Sequence, residues 1–170
     1  MFEYLMQYKA ENLQEKRINI STSNCFGKVL HSEIIEAEKI LCFSLPKQLR
    51  IFYQEIGCGN LTAPQNRSSD YVFFGANEIL DPITVANFAT GKLLWDSQKN
   101  YISEDVYEDL QPGDIPFFEI SDSSSFMIMK ALSDNPNAIW YMGKEKIEES
   151  LDEFIHNLYY KNPSYYADNW

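Results

Sequence analysis

Three apolar stretches late in the chain are joined by connections too short for a parallel crossover, and this spacing constrains the fold more than any other feature. Ile115–Ser121, Phe126–Lys130 and Ala138–Met142 each read as a strand. Asp122-Ser123-Ser124-Ser125 forms the first connection and Ser133-Asp134-Asn135-Pro136-Asn137 the second, with turn-forming residues at every position. Strands joined this closely pair antiparallel, so the segment is a meander. Pro112-Gly113-Asp114 marks the turn that leads into it. Strict alternation places Phe117 and Phe118 on opposite faces, and sets Phe126 and Ile128 against Met127 and Met129.

A helix must cover this sheet. Ile147, Leu151, Phe154, Ile155 and Leu158 fall at helical spacing, and Glu145, Glu148, Glu149, Asp152 and Glu153 occupy what would be the first turns. Carboxylates there suit a helix N-terminus. The apolar stripe predicts docking on one sheet face, as in an α+β layer. The tail that follows, Asn162–Trp170, carries Tyr165, Tyr166 and Trp170, which either pack on the body or meet a partner. Earlier, Ser32 is placed to cap a helix over Glu33–Leu41. Pro46 then opens a second helix, in which Leu45, Leu49, Phe52, Tyr53 and Ile56 share one face. Gly57 and Gly59 end it with a turn. Phe2, Leu5, Met6 and Leu13 suggest a short amphipathic helix within the first 16 residues. Ile18–Thr22 reads as a strand or an extended connection. Asn60–Ala63 and Tyr71–Phe74 read as short strands around a polar loop, Gln65–Asp70. Residues 77–110 show helical fragments at Ile83–Ala89 and Ser103–Leu110, together with Trp95, but no clear boundaries.

A length of 170 residues fits one domain spanning 1–170. The 45% apolar and 15% aromatic content excludes a disordered chain. No apolar run approaches the about 20 residues of a membrane span. The N-terminus, with Glu3 where a signal peptide carries lysines, predicts a cytoplasmic protein. Three cysteines, Cys25, Cys42 and Cys58, with no CxxC spacing, fit reduced thiols in such a compartment. The net charge of −11 is unevenly spread. Residues 1–102 hold 10 bases and 11 acids, whereas residues 103–170 hold 4 bases and 14 acids. Such a field repels nucleic acid and anionic membrane and attracts basic proteins.

The residues offer little chemistry. His31 and His156 stand alone, and no metal-ligand spacing, phosphate loop or nucleophile elbow occurs. Cys58 lies between two glycines at a helix C-terminus, with no base nominated for it. Glu104-Asp105 and Glu108-Asp109 read as a solvated face. Asp114, Glu119 and Asp122 flank a strand, where turn bonding competes with an acid–base or metal role. The expectation is a non-catalytic domain with no cofactor and no bound metal.

The ordered features resemble the SUKH superfamily of toxin-immunity proteins and cell-wall-assembly regulators. Ile34–Leu61 is similar to the family signature of an acidic helix, Leu-Pro, and an amphipathic helix ending in a glycine pair. Glu38, Leu45, Pro46, Phe52, Tyr53, Gly57 and Gly59 match its positions. Ile115–Leu158 follows in family order, and Ser150, Leu151, Phe154 and Leu158 match the closing helix. The likeness covers residues 30–160, leaving a short N-terminal extension and the aromatic tail outside it. The chain departs from the family where Gly57-Cys58-Gly59 stands for Asn-Gly-Gly, and where Ser123–Ser125 stand for glycines.

The resemblance implies an α+β fold with an antiparallel central sheet of about five to six strands and helices packed against it. It also implies a protein that binds another protein. Bacterial members are typically immunity proteins that neutralise polymorphic toxins, often nucleases. The acidic second half then reads as a face that covers a basic toxin domain, with Asp114, Glu119, Asp122, Glu145, Glu148, Glu149 and Asp152 supplying charge. Trp140 and Trp170 are the candidate aromatic anchors, although core packing claims large aromatics equally well. A regulatory scaffold module of the cell-wall-regulator type is the alternative, and a metal-dependent hydrolase using Asp114, Glu119 or Asp122 a third reading. The oligomeric state is left open.

Overall fold

A computed structural model describes residues 1–10, 24–61, 77–92, 109–120, 125–161 and 165–166. Among them, eight strands form one sheet in chain order. These are β1 (Lys9–Ala10), β2 (Cys25–Gly27), β3 (Cys58–Asn60), β4 (Glu78–Ile79), β5 (Asp114–Ile120), β6 (Ser125–Lys130), β7 (Ile139–Tyr141) and β8 (Glu145–Glu148). β1 runs parallel to β2, and every other neighbouring pair is antiparallel. The helices are α1 (His31–Leu41), α2 (Lys47–Glu55), α3 (Pro82–Ala89) and α4 (Leu151–Tyr160). The class is the expected α+β, and the sheet has more strands than expected because β1 and β4 are two residues each and β8 comes from a segment read as helix.

The corner between α1 and α2 is tied by side chains that match the resemblance. α1 begins two residues earlier than Ser32 would set it, with Leu30 at the N-cap, whose N–H donates to the Glu33 carboxylate at 2.6 Å. The Leu45 N–H donates to Glu38 Oε1 at 3.0 Å, and the Arg50 guanidinium lies 3.5 Å from the other Glu38 oxygen. Pro46 holds the N-cap of α2. The buried Tyr53 hydroxyl donates to the Leu80 carbonyl at 2.8 Å, which locks α2 to the chain entering α3. There Asp81 caps the helix by accepting from the Thr84 N–H at 2.9 Å, with Pro82 in the first turn.

The glycine pair is part of the sheet rather than only a helix stop. Gly57 has φ +115° and Gly59 φ +139°. A Cβ on Gly57 would sit 1.9 Å from the Gly27 carbonyl oxygen, and one on Gly59 2.3 Å from that of Cys25. β3 thus lies directly against β2, and only glycine fits just before the strand, at Gly57, and in its middle, at Gly59.

The three meander strands pair antiparallel as expected, with two corrections. A register shift between Pro116 and Phe118 breaks the alternation in β5. Phe117 and Phe118 therefore do not point to opposite faces; both rings lie against Phe154 of α4, at 6.2 and 5.2 Å. The second correction concerns Glu145–Glu148, which form β8 rather than the first turns of the last helix. Met142 (φ +47°) and Gly143 (φ +69°) make a tight hairpin turn closed by the Lys144 N–H on the Tyr141 carbonyl. Two positive-φ residues give the turn whose twist suits a two-strand hairpin. The helix starts at Leu151, where Ser150 Oγ accepts from the Glu153 N–H at 3.2 Å.

The N-terminus is a 3-10 helix, Glu3–Tyr8, followed by β1, not one amphipathic helix. Three residues per turn brings Phe2 and Leu5 onto one side, and both are fully buried in the same core as the sheet and helices. Phe2 and Phe26 pack edge-on against Phe52, at 4.9 and 5.8 Å. On the other side of the tail question, Tyr165 donates to Glu148 Oε1 at 2.9 Å and Tyr166 is buried. The readings at Leu13, Ile18–Thr22, Gln65–Asp70, Tyr71–Phe74, Trp95 and residues 103–108 lie outside the described residues.

Candidate partner-binding surface

The hairpin β7–β8 and the start of α4 bring five of the candidate residues into one region: Trp140, Glu145, Glu148, Glu149 and Asp152. They are not equivalent. Glu145 is exposed on the edge strand. Glu149 is exposed, is bridged to the Lys146 ammonium and accepts from Asn135 Nδ2 at 3.2 Å. The hydrogen bond from Lys146 and its charge hold the Glu149 carboxyl below the usual range. Glu148 is half-buried, and its Oε1 takes both Asn157 Nδ2 at 2.6 Å and the Tyr165 hydroxyl at 2.9 Å. It serves to pin the tail. Burial, then this carboxylate, pushes the Tyr165 phenol well above its ordinary range. Asp152 is half-buried in the first turn of α4, and its N–H donates to Gln48 Oε1 at 3.2 Å.

Trp140 lies half-buried in β7, paired with Ile128 and Lys146. The Lys130 ammonium stands 4.5 Å from its ring centroid, within cation–π reach. Its face is therefore already covered by a cation. Two candidates sit apart. Asp114 is 5% exposed, and its Oδ2 accepts from the Gln111 N–H at 3.0 Å. Burial raises its carboxyl against the opposing pull of Gln111 and Lys130. It is a turn group, turned inward. Glu119 is half-buried in β5 opposite Glu78 and Phe126. Asp122 and Trp170 lie outside the described residues.

A second surface escaped the sequence reading. Along α4, Glu153, His156 and Tyr160 point outward. The Tyr160 ring stacks with His156 at 4.5 Å, with Tyr159 at 4.7 Å and with Tyr4 of the 3-10 helix at 5.3 Å. Tyr8 and Tyr159 share a hydrogen bond of 3.0 Å beneath it. The signal was available in the i, i+4, i+8 spacing of Asp152, His156 and Tyr160. It needed the packed N-terminus to give it meaning.

The chemistry these groups can do is limited. Burial, then the Asp81, Glu78 and Glu33 carboxylates, pushes the Cys58 thiol up to about 12, so it stays protonated at neutral pH. Among the described residues no three His, Cys, Asp or Glu side chains gather closely enough to hold a metal ion. A half-open basin of about 490 Å³ at the β1 edge is lined by Lys9, Ala10, Lys28, Val29, Tyr53, Gln54 and Ile56. Its titratable lining groups are two lysines and a tyrosine already bonded to Leu80. No described helix is long and apolar enough to cross a membrane.

Comparison with known proteins places these features in a lineage. The model of the SMI1 / KNR4 family (SUKH-1) matches residues 28–157. The chain is 32% identical over 151 residues to a Bacillus subtilis (strain 168) protein described as "Immunity protein YxxD", an alignment covering 89% of this chain and 93% of that protein.

Proposed function

Because the chain belongs to the SMI1 / KNR4 family (SUKH-1), we propose that it is an immunity protein that binds a cognate toxin stoichiometrically and blocks it without turnover. The observation that carries this reading is the similarity over nearly the full length of both chains to a protein described as an immunity protein. The partner is a basic toxin domain, of which a nuclease is the leading kind, since a cleft built for phosphate is positive. Support for the charge match comes from the excess of acids over bases in residues 103–170. Three of the four bases in that half are already engaged, Lys144 with Asp109, Lys146 with Glu149 and Lys130 over Trp140. The remaining field is negative, and the exposed Glu145 on β8 presents it outward. Complementary charge speeds encounter and fixes orientation, while packed anchors slow dissociation.

Co-expression tests this reading. A candidate toxin domain is produced in a sensitive host with and without the chain. Growth is rescued only with the chain, and a catalytically inactivated toxin domain co-purifies with it in a 1:1 complex. Neither rescue nor a complex would contradict the proposal.

A further inference from the structure

We propose that the Tyr4 hydroxyl and the Asp152 carboxylate are joined by one enclosed water, and that this link latches the N-terminal 3-10 helix to the first turn of α4. The latch belongs to this chain rather than to the family region, because the family match begins at residue 28 and Tyr4 lies before it. It does not depend on what the protein binds. Two buried atoms point to it. Tyr4 Oη and Asp152 Oδ1 are both shut off from solvent, and neither has a hydrogen-bond partner in the protein. The third such atom among the described residues, Trp140 Nε1, belongs to β7. A buried hydroxyl is seldom left unpaired, and a buried carboxylate oxygen still less so. Here one of the two is a donor and the other an acceptor.

The helix brings the pair together. Asp152, His156 and Tyr160 follow at intervals of one turn along α4, so their side chains form a column. Tyr4 lies along that column. Its ring is 5.3 Å from that of Tyr160 and stands edge-on to His156 at 6.3 Å, with Tyr159 at 5.0 Å. Asp152 is the next member of the column, one turn nearer the start of the helix. Its charge is felt at the phenol: burial, and after it the Asp152 carboxylate, holds Tyr4 well above its ordinary range. The Asp152 backbone is fixed from another side, where its N–H donates to Gln48 Oε1 at 3.2 Å.

A water that accepts from the Tyr4 hydroxyl and donates to Asp152 Oδ1 satisfies both atoms at once, as buried waters do for polar groups that cannot reach each other. The latch has a mechanical consequence. The 3-10 helix is already tied near the far end of α4, where the Tyr8 and Tyr159 hydroxyls share a bond of 3.0 Å and Gln7 Nε2 donates to Tyr159 at 3.4 Å. A second tie at Asp152 fixes the short helix along α4 as well as against it. Phe2 and Leu5 are thereby held in the core. One oxygen of Asp152 is then spent inside the molecule.

Two measurements on the full chain test the latch. The first is a double-mutant cycle in urea unfolding with Tyr4→Phe, which removes only the hydroxyl, and Asp152→Ala. The unfolding constant of the double variant should fall short of the product of the single effects by about fivefold or more, because either change alone already breaks the link. Tyr8→Phe, which cuts the other tie, should combine with Asp152→Ala independently, within about twofold. The second is a high-resolution crystal structure, which keeps the proposal testable even if a variant does not fold. It should show one ordered water within about 3.2 Å of both Tyr4 Oη and Asp152 Oδ1. A Tyr4–Asp152 pair that combines independently within about twofold overturns the latch, and so does a direct bond between the two side chains or a site without a bridging water.

Discussion

Replacing Gly57 by alanine should damage the protein far more than replacing its neighbour Cys58. The added Cβ would lie 1.9 Å from the Gly27 carbonyl oxygen and 2.9 Å from its carbon. Carbon and oxygen that are not bonded sit about 3.3 Å apart at closest, so the backbones must part by more than 1 Å at a point where β2 and β3 are hydrogen-bonded. The residue must also hold φ +115°, a conformation that costs a side chain about 1–3 kcal/mol. Losing one or two strand hydrogen bonds adds about 1 kcal/mol each. The sum is about 2–5 kcal/mol, a large part of the about 5–15 kcal/mol that holds a domain together. For a chain of this length, that lowers Tm by roughly 4–20 °C. Cys58 is half-buried with its thiol free, so Cys58→Ala should cost about 1 kcal/mol or less. Thermal and urea unfolding of the two variants beside the parent measures both. A Gly57→Ala protein that melts within about 2 °C of the parent, or a Cys58→Ala loss of equal size, would refute the close-approach argument.

Three other outcomes follow from single side chains. Tyr53→Phe leaves the buried Leu80 carbonyl without its partner and should cost about 1–2 kcal/mol in urea unfolding, with an unchanged m value; no loss would mean the bond is not formed in solution. Native protein treated with a thiol reagent at pH 8 should modify Cys42, which is exposed, well before Cys58, whose thiol is pushed up to about 12, and before buried Cys25; equal rates would contradict the burial of the last two. Asp114 is held above its ordinary range, so the folded state binds its proton more tightly than the unfolded state, and its contribution to stability falls as pH rises through that interval. Asp114→Asn keeps an oxygen for the Gln111 N–H and loses the charge. It should be at least as stable as the parent at pH 7, with the advantage shrinking as pH falls through the carboxylate range; a variant that is less stable at pH 7 and recovers in acid would reverse the sign.

The elements that were legible in the sequence are those whose local and long-range signals agree. α2 announced itself because Pro46, an apolar face and Gly57 all point to the same boundaries. β6 and β7 were legible because short polar turns leave only an antiparallel pairing. The last helix was read too long because Ile147 falls in phase with Leu151 and Phe154, and the acids near it suit a helix start. What decided otherwise was Met142, a non-glycine residue at positive φ, whose role in a hairpin composition does not announce. Glu145–Glu148 then went to the sheet. The bulge that turns Phe117 and Phe118 toward Phe154 is a tertiary effect, since strict alternation predicts the reverse. The charge asymmetry was visible at once, but not which carboxylates face outward. Glu148 and Asp114 look like surface acids in the sequence, and both are spent on internal hydrogen bonds. The tyrosine platform could not be read at all, because it joins residues 4 and 160 across the whole chain.

We propose that this molecule neutralises a positively charged toxin by charge-guided docking. Stopped-flow association with the inactivated toxin domain, at ionic strengths from 0.05 to 0.5 M, tests it most directly. Charge-guided docking gives an association rate of about 10⁸ M⁻¹s⁻¹ at the lowest salt, falling by roughly tenfold or more across the series, with the dissociation rate nearly unchanged. An association rate that stays flat across the same range would contradict it.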